Sequence, residues 1–440
     1  MDRCRDGGGH ERPRPQCGWS TAGSRGLASA RCNVHGATPG VDIHGYRASR
    51  AFDGEHVLPD GALVLVEGDA ILAVESGTRP APADCPVTDL PGATLLPGLI
   101  DAHVHLCGDS GPRALDQLPE LSDEELDAII AESLASQLAV GVTAVRDLGD
   151  ARWAVTDRHR THPAGPTVVA SGPPVTSPGG HCAGMGGEVA GVEGMRHAVR
   201  ERVAHGVDVI KIMTSGGGMT AGTDVTLCQF SLEEVQALVD EAHHAGLPVT
   251  AHAHAVTAVE LSLAAGVDGI EHCSCITKDG IEMSPRLAAA IAAAGIPICP
   301  TVGKKLDAVP PPQILAMMAR LGVTFEARLA QVGDMHRAGV ALIAGADSGI
   351  NPAKPHGLLP ESIIDMVTAG LSPGEALAAA TSLAAAACGL GGRTGRLAAG
   401  LDADLVAVGG DPLTDIRAVR DVRLVVSRGR QAMPAMPVGG

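Results

Sequence analysis

The stretch LLPGLIDAHVHL, residues 95–106, places two histidines two positions apart at the end of an apolar run. Side chains alternate between the two faces of a β-strand, so His103 and His105 should project to the same side. Two imidazoles in that arrangement can supply two nitrogen ligands to a divalent metal ion. Two histidines that only form hydrogen bonds at a strand end would give the same pattern. The stretch therefore predicts a strand end and leaves both interpretations open.

The composition of this 440-residue chain is typical of a folded α/β enzyme. Hydrophobic residues make up 45%, and 57 glycines and 30 prolines indicate many loops around a sizeable core. The formal net charge of -17 disfavours nucleic acid and an anionic membrane surface as partners. Aromatic residues make up only 1%, so a pocket built from stacked rings is difficult to assemble. We therefore expect an enzyme that acts on a small molecule.

The eleven cysteines are odd in number, scattered and without C-x-x-C spacing. They indicate neither a disulfide framework nor a zinc ribbon, and a reducing cytoplasm is the simplest location. No apolar run reaches the roughly 18 residues of a membrane span, and the N-terminus does not have the apolar centre of a signal peptide. Residues 1–44 are rich in Arg, Gly and Pro without periodicity, which predicts a disordered extension.

Strand and helix signals alternate through the middle of the chain. Two Ser-x-x-Glu capping boxes, at residues 122–125 and 231–234, predict helix starts, and the first helix should end near residue 139. After the opening stretch, seven further strands are predicted at 142–148, 167–171, 207–213, 247–251, 267–271, 296–300 and 340–344. Eight buried strands with interleaved helices predict a (β/α)8 TIM barrel over residues 97–388.

Short β-rich runs occur at both flanks of this region. Residues 46–52, 62–67 and 70–75 are separated by turn signals, and residues 405–408 and 422–427 repeat that texture. We therefore predict a small β-sandwich domain built from residues 45–96 together with residues 389–440.

Reactive side chains fall at or near the ends of the predicted barrel strands, where such barrels place their chemistry. They are His103, His105, Lys211, His252, His272 and Asp347. Lys211 lies inside VDVIKIM, a buried strand in which a free ammonium group is costly. It could pair with a carboxylate of the barrel, or be the Schiff-base nucleophile of an aldolase. It could also react with carbon dioxide to give a carbamate that bridges two metals, and the neighbouring histidines and aspartate favour this third hypothesis.

Six segments together resemble the amidohydrolase superfamily over about residues 45–430. They are LLPGLIDAHVHL, VIKIMTSGGG, VTAHAHA, GIEHC, IAGADSG and GRLAAGLDADLVAV. The resemblance is to the binuclear branch with a carboxylated lysine, which includes imidazolonepropionase-like, prolidase-like and ochratoxin-amidase-like enzymes. It implies the same barrel and sandwich, with two divalent ions, zinc first, and a carbamate on Lys211. It implies that one ion is held by His103, His105 and Asp347 and the other by His252 and His272, with Lys211 between them.

Four further residues have open roles. His254 shares a strand face with His252, so either could be the ligand; His252 is preferred because it comes first, and His254 would then contact substrate or support a ligand. His181 and His356 lie in loops that should overhang the site, although they could equally be solvated loop residues. Asp147 could orient a ligand imidazole or touch substrate.

The ligand set implied by the resemblance predicts hydrolysis of an amide C–N bond. A hydroxide between the metals would attack a peptide-like substrate, an N-acyl amino acid or a dipeptide, and Asp347 would act as general base. A homo-oligomer is expected, since barrels of this kind often associate.

Two other functions compete with amide hydrolysis. A cyclic amidohydrolase of the imidazolonepropionase type, like a mononuclear deaminase, would need one metal and leave Lys211 unexplained. A Schiff-base aldolase would use Lys211 and ignore the histidines.

Overall fold

The computed structural model describes residues 43–161 and 165–433, which form strands and helices in alternation. The strands are β1 Ile43–Ala48, β2 Arg50–Phe52, β3 Val57–Leu58, β4 Ala62–Glu67, β5 Ala70–Ser76, β6 Val87–Asp89, β7 Ala93–Pro97, β8 Leu99–Val104, β9 Val142–Asp147, β10 Thr167–Ala170, β11 Ile210–Met213, β12 Val249–Ala255, β13 Gly269–Thr277, β14 Gly280–Ile281, β15 Ile298–Cys299, β16 Leu405–Gly409, β17 Val422–Ser427 and β18 Arg430–Met433. The α-helices are α1 Asp123–Ala139, α2 Gly191–Ala204, α3 Leu232–His244, α4 Val256–Ala265, α5 Pro285–Ala294, α6 Pro312–Leu321, α7 Phe325–Arg337, α8 Leu359–Ala369, α9 Pro373–Ala379 and α10 Ser382–Ala387. Shorter helical turns cover Leu118–Glu120, Val155–His159, Ala183–Met185 and Ile416–Arg420.

Of the predicted extension at residues 1–44, residues 1–42 lie outside the described residues. Its last two residues are described, and they do not belong to such an extension. Ile43 pairs with Glu67 and His44 pairs with Val66 in the antiparallel ladder between β1 and β4. Strand β1 therefore starts before the predicted domain boundary at residue 45, because its ladder continues to the end of β4.

Two parallel sheets carry the middle of the chain. One has the order β10-β9-β8, and the other runs β11-β12-β13 with β15 paired to β13. Isolated parallel bridges connect neighbouring segments: Val175 with Ile212, Leu342 with Ile298, and Ser348 with Val104. Because parallel neighbours end at the same edge, the residues that follow these strands gather in one region.

Several predicted strands of this series differ from the observed ones. β11 begins three residues later than predicted, at Ile210, and β12 ends four residues later, at Ala255. The strand at 296–300 shortens to β15, and residues 340–344 form no regular strand, although Ile298 N–H donates to Ala341 O at 2.8 Å. In contrast, β13 continues six residues beyond its predicted end, because Ile276 pairs with Ile281 in a hairpin with β14.

Capping chemistry starts the helices as predicted. The Ser122 hydroxyl accepts from Glu125 N–H while the Glu125 carboxylate accepts from Ser122 N–H, and Ser231 and Glu234 make the same reciprocal contacts. These capping boxes confirm the predicted starts of α1 and α3, and α1 ends at Ala139 as predicted. Among the described residues, no helix has both the length and the apolar character that crossing a membrane requires.

Residues from both flanks share one sheet, in the order β18-β17-β16-β7-β2-β3. β7 and β16 pair antiparallel, with Pro97 opposite Leu405. A second sheet, β5-β4-β1-β6, contributes Tyr46 and Val64 to an apolar cluster that also contains Leu95 and Leu405. This packing fixes β7, and β8, which carries His103, follows it after one residue.

Candidate metal centre

Three potential ligand atoms converge at the end of β8. Nε2 of His103 and Nε2 of His105 lie 3.3 Å apart, and Oδ1 of Asp347 lies 3.4 Å from the first and 3.3 Å from the second. Asp347 N–H donates to His103 O at 2.8 Å and holds the residue at a φ of 57°, a conformation that non-glycine residues rarely adopt. All three side chains are buried. Two imidazoles and a carboxylate at one buried point suit a divalent ion.

A second cluster consists of three histidines on neighbouring strands. His252 and His254 lie on β12, and His272 lies on β13, with one ligand atom of each within 4.8 Å of the others. Nδ1 of His254 lies 2.9 Å from Ser274 Oγ, and Nδ1 of His272 lies 2.8 Å from Thr301 Oγ1. These contacts use one ring nitrogen and leave Nε2 available as a ligand.

The two clusters are adjacent, and Lys211 lies against the same cavity. The ring centroids of His103 and His272 are 5.2 Å apart. Lys211 lines the cavity with His105, His252 and Asp347, and it is 1% exposed. Its Nζ is buried without a hydrogen-bond partner among the described residues. Burial lowers the pKa of this amine.

The described part of the structure does not support the ion-pair hypothesis for Lys211. No carboxylate oxygen of these residues forms a salt bridge with its Nζ, whereas Arg146 pairs with the nearby Glu271 at 2.7 Å. A buried amine without any partner is costly. Among the described residues, Lys211 is thus a buried amine beside two clusters of potential metal ligands.

Glu271 is a site residue that the sequence interpretation missed. Its Oε2 lies 2.8 Å from His103 Nδ1, while Oε1 accepts from Arg146 Nη2 at 2.7 Å and from Thr250 Oγ1 at 2.6 Å. Although burial opposes ionisation, the Arg146 guanidinium and the contact with His103 hold the pKa of Glu271 well below its usual range. The sequence feature that could have identified Glu271 is its position directly before His272 in a predicted buried strand.

The electrostatics of the cluster at β8 favour neutral imidazole and ionised carboxylate. Burial, followed by the charge of Lys211, lowers the pKa of His103 to about 4. The pKa of Asp347 is lowered to about 2, because a hydrogen bond with His105 and the neighbouring imidazoles outweigh burial. These are the protonation states in which both side chains can bind a metal ion.

The contacts of three further predicted residues, His181, Asp147 and His356, show which of them can face the cavity. His181 lines the cavity, with its ring centroid 4.7 Å from that of His252. Asp147 lies behind the site, where its Oδ2 accepts from Leu106 N–H at 2.8 Å. His356 does not line the cavity; its Nε2 lies 2.9 Å from Gly108 O, in the loop that follows His105. His181 is thus the one of these three that can face a ligand in the cavity.

Two glycines allow the close packing around the centre. A Cβ at Gly149 would lie 2.2 Å from His105 Nδ1, and a Cβ at Gly217 would lie 2.4 Å from the His181 ring.

The outer cavity wall is largely apolar and rich in flexible thioethers, which can adapt to irregular ligands. Its apolar members include Met213, Met219, Ile314, Met317, Met318, Val323 and Phe325.

Comparisons with known proteins identify the family of this chain and proteins of similar fold. A family model described as the amidohydrolase family matches residues 94–432. An ochratoxinase from Aspergillus niger is 28% identical over 235 residues, which is 53% of this chain and 47% of that protein, so the match spans about half of the relative's length. A solved prolidase complexed with N-methylphosphonate-L-proline is 27% identical with a TM-score of 0.79, covering 90% of this chain and 100% of that one. A Xaa-Pro dipeptidase structure with bound methionine has a TM-score of 0.77 at 24% identity, covering 89% and 99% of the two chains, and this likeness concerns the fold.

Proposed function

Because the chain belongs to the amidohydrolase family, we propose that it is a metal-dependent hydrolase that cleaves an amide carbon–nitrogen bond. Candidate substrates are peptide-like compounds, N-acyl amino acids and dipeptides. The observation that carries the proposal is the buried Lys211 amine, which has no hydrogen-bond partner among the described residues and lines the same cavity as members of both ligand clusters. The similarity to an ochratoxinase and to a prolidase supports the same class of reaction.

We also propose that the chain forms a closed barrel and a β-sandwich domain. Parallel neighbours run from β8 through β15 to residues 341–348, which also bridge back to β8 through Ser348 and Val104. This sequence of contacts supports a closed (β/α)8 barrel over residues 97–388. The shared sheet and apolar cluster support a β-sandwich domain from residues 45–96 and 389–440.

The donor set fits two divalent ions, with zinc as the first choice for imidazole and carboxylate ligands. His103, His105 and Asp347 would hold one ion, and His252 and His272 would hold the other. A carbamate on Lys211, formed when the amine adds to carbon dioxide and loses a proton, would be shared between them. This reaction would replace an unpartnered buried amine by an anionic ligand, whereas a Schiff-base role would leave the surrounding ligands unexplained.

The chain's own residues would move the protons. When bound, the ions supply Lewis acidity that polarises the substrate carbonyl and lowers the pKa of water. The ionised Asp347 accepts a proton from the water that adds to the carbonyl carbon. Asp347 then delivers this proton to the leaving nitrogen as the C–N bond breaks, giving a carboxylic acid and an amine. Glu271 holds the Nδ1–H of His103 and so keeps Nε2 directed at the ligand cluster.

The direct test is hydrolysis by metal-loaded protein. N-acyl amino acids and dipeptides with varied side chains would be incubated with zinc-, manganese- or cobalt-loaded protein, and release of free amine would be measured. We expect turnover of some members, loss of turnover after chelation, and recovery when metal and bicarbonate are restored. Fully loaded protein that releases no amine from any member would contradict the proposal.

A further inference from the structure

Arg328, on α7, is a cation on the wall of the metal-centre cavity. Its Nη2 donates to His272 O at 3.0 Å and to Pro300 O at 3.2 Å, while Nη1 donates to Oε1 of Gln331. These contacts fix the guanidinium group beside the histidine cluster. They are all made to uncharged groups, and within residues 43–161 and 165–433 no acidic side chain forms an ion pair with Arg328.

Two other cations near the centre, Arg146 and Lys354, interact with carboxylates. Arg146 is paired with Glu271. The Nζ of Lys354 donates to two backbone carbonyls, and its charge interacts with Asp347 and Asp101. Hydrogen bonds to uncharged groups do not supply the counter-ion that a poorly solvated cation favours. Arg328 therefore has a charge that a bound anion could neutralise.

The surroundings of Arg328 indicate what kind of anion would fit. Met317, Val323 and Phe325 line the same cavity, so a ligand that reaches the guanidinium also contacts apolar side chains. Both Nη2 hydrogens of Arg328 are donated to backbone carbonyls, so a carboxylate would meet its remaining N–H groups one at a time. A carboxylate attached to an apolar group matches this wall, because a charge-assisted hydrogen bond to a guanidinium is stronger than one between neutral groups.

We propose that Arg328 binds the free carboxylate of the substrate and so selects amides whose leaving amine is an apolar amino acid. This inference rests on the proposed amide hydrolysis and narrows its substrate class. In an N-acyl amino acid or a dipeptide, the carboxylate is attached to the carbon next to the scissile nitrogen. One cavity can therefore hold both the carboxylate at Arg328 and the amide at the metal centre.

The test compares N-acetyl-L-leucine and N-acetyl-L-methionine with their carboxamides, which lack only the negative charge. Release of acetate measures cleavage of the same bond in all four compounds. We expect the zinc-loaded wild type to show kcat/KM values about 10- to 100-fold higher for the acids, the range of a charge-assisted contact. Arg328→Met should bring this ratio to about 1, and Arg328→Lys should retain part of it. Arg337→Met, which changes an exposed arginine on the same helix, should leave the ratio unchanged.

A purely structural role for Arg328 predicts a different result. In that case Arg328→Met lowers kcat/KM equally for acids and carboxamides, the ratio is kept, and the inference is overturned. Carboxamides cleaved by wild type as well as the acids would also overturn it while leaving amide hydrolysis intact. Calorimetric titration with L-leucine and L-leucinamide gives a readout without turnover: wild type should bind the acid more tightly, and equal binding would contradict the inference.

Discussion

The carboxylate of Glu271 lies 2.8 Å from Nδ1 of His103, and both side chains are buried. This contact determines which nitrogen of His103 faces His105 and Asp347. Since the Glu271 carboxylate accepts the Nδ1 proton, Nε2 carries the lone pair that a metal ion needs. Arg146 and Thr250 hold the other carboxylate oxygen and so keep the orientation fixed.

Glu271→Gln should weaken zinc binding about 10- to 100-fold, because the amide is a poorer acceptor and leaves the Arg146 charge uncompensated. The measurement is zinc retention against a chelator of known affinity. Glu233→Gln, an exposed change on α3, serves as the control and should have no effect. Unchanged zinc affinity in the Glu271 variant would show that the contact does not orient His103.

Lys211→Ala should lower the metal content and abolish hydrolysis, because the proposed carbamate cannot form without the amine. Formate, acetate or propionate should restore part of both, since a small carboxylate can occupy the position that the shorter side chain leaves. Metal content and turnover would be measured with and without each anion. Rescue by small amines instead of carboxylates would favour a Schiff-base lysine.

Asp347→Asn should lower kcat about 10²- to 10⁴-fold, the usual contribution of a general acid–base group. The amide can still offer an oxygen ligand, so the metal content should fall much less than turnover. Metal analysis of the same preparation separates the two effects. Turnover near the wild-type value would assign the proton transfer to another residue.

Metal analysis of the purified protein should approach two divalent ions per chain after loading in the presence of bicarbonate. Removal of the metal should be reversible, and reloading should be faster with bicarbonate, because in the proposed centre the Lys211 amine first reacts with carbon dioxide. The rate would be followed by recovery of turnover. A stoichiometry that stays at one ion per chain would exclude a centre shared between two ions.

Much of this architecture could be predicted from local sequence patterns. The capping boxes at Ser122 and Ser231 determine helix starts through contacts three residues apart, so no distant part of the chain is needed. The H-x-H spacing likewise places His103 and His105 close together, with 3.3 Å between their Nε2 atoms. Residues 340–344 differ from the local prediction. Their apolar pattern predicts a strand, yet the hydrogen bonds that they make do not form a regular ladder.

The sequence by itself determined the kinds of ligand and their order along the chain, because residue type and spacing are local properties. Only the tertiary structure decided which residues meet. Glu271 contacts His103 although the two residues are 168 positions apart. The packing of helix α7 places the Arg328 guanidinium against the carbonyls of His272 and Pro300, where no acidic side chain of the described residues pairs with it. Such contacts depend on how the strands and helices pack, and the pairing of a buried charge cannot be inferred from its own segment.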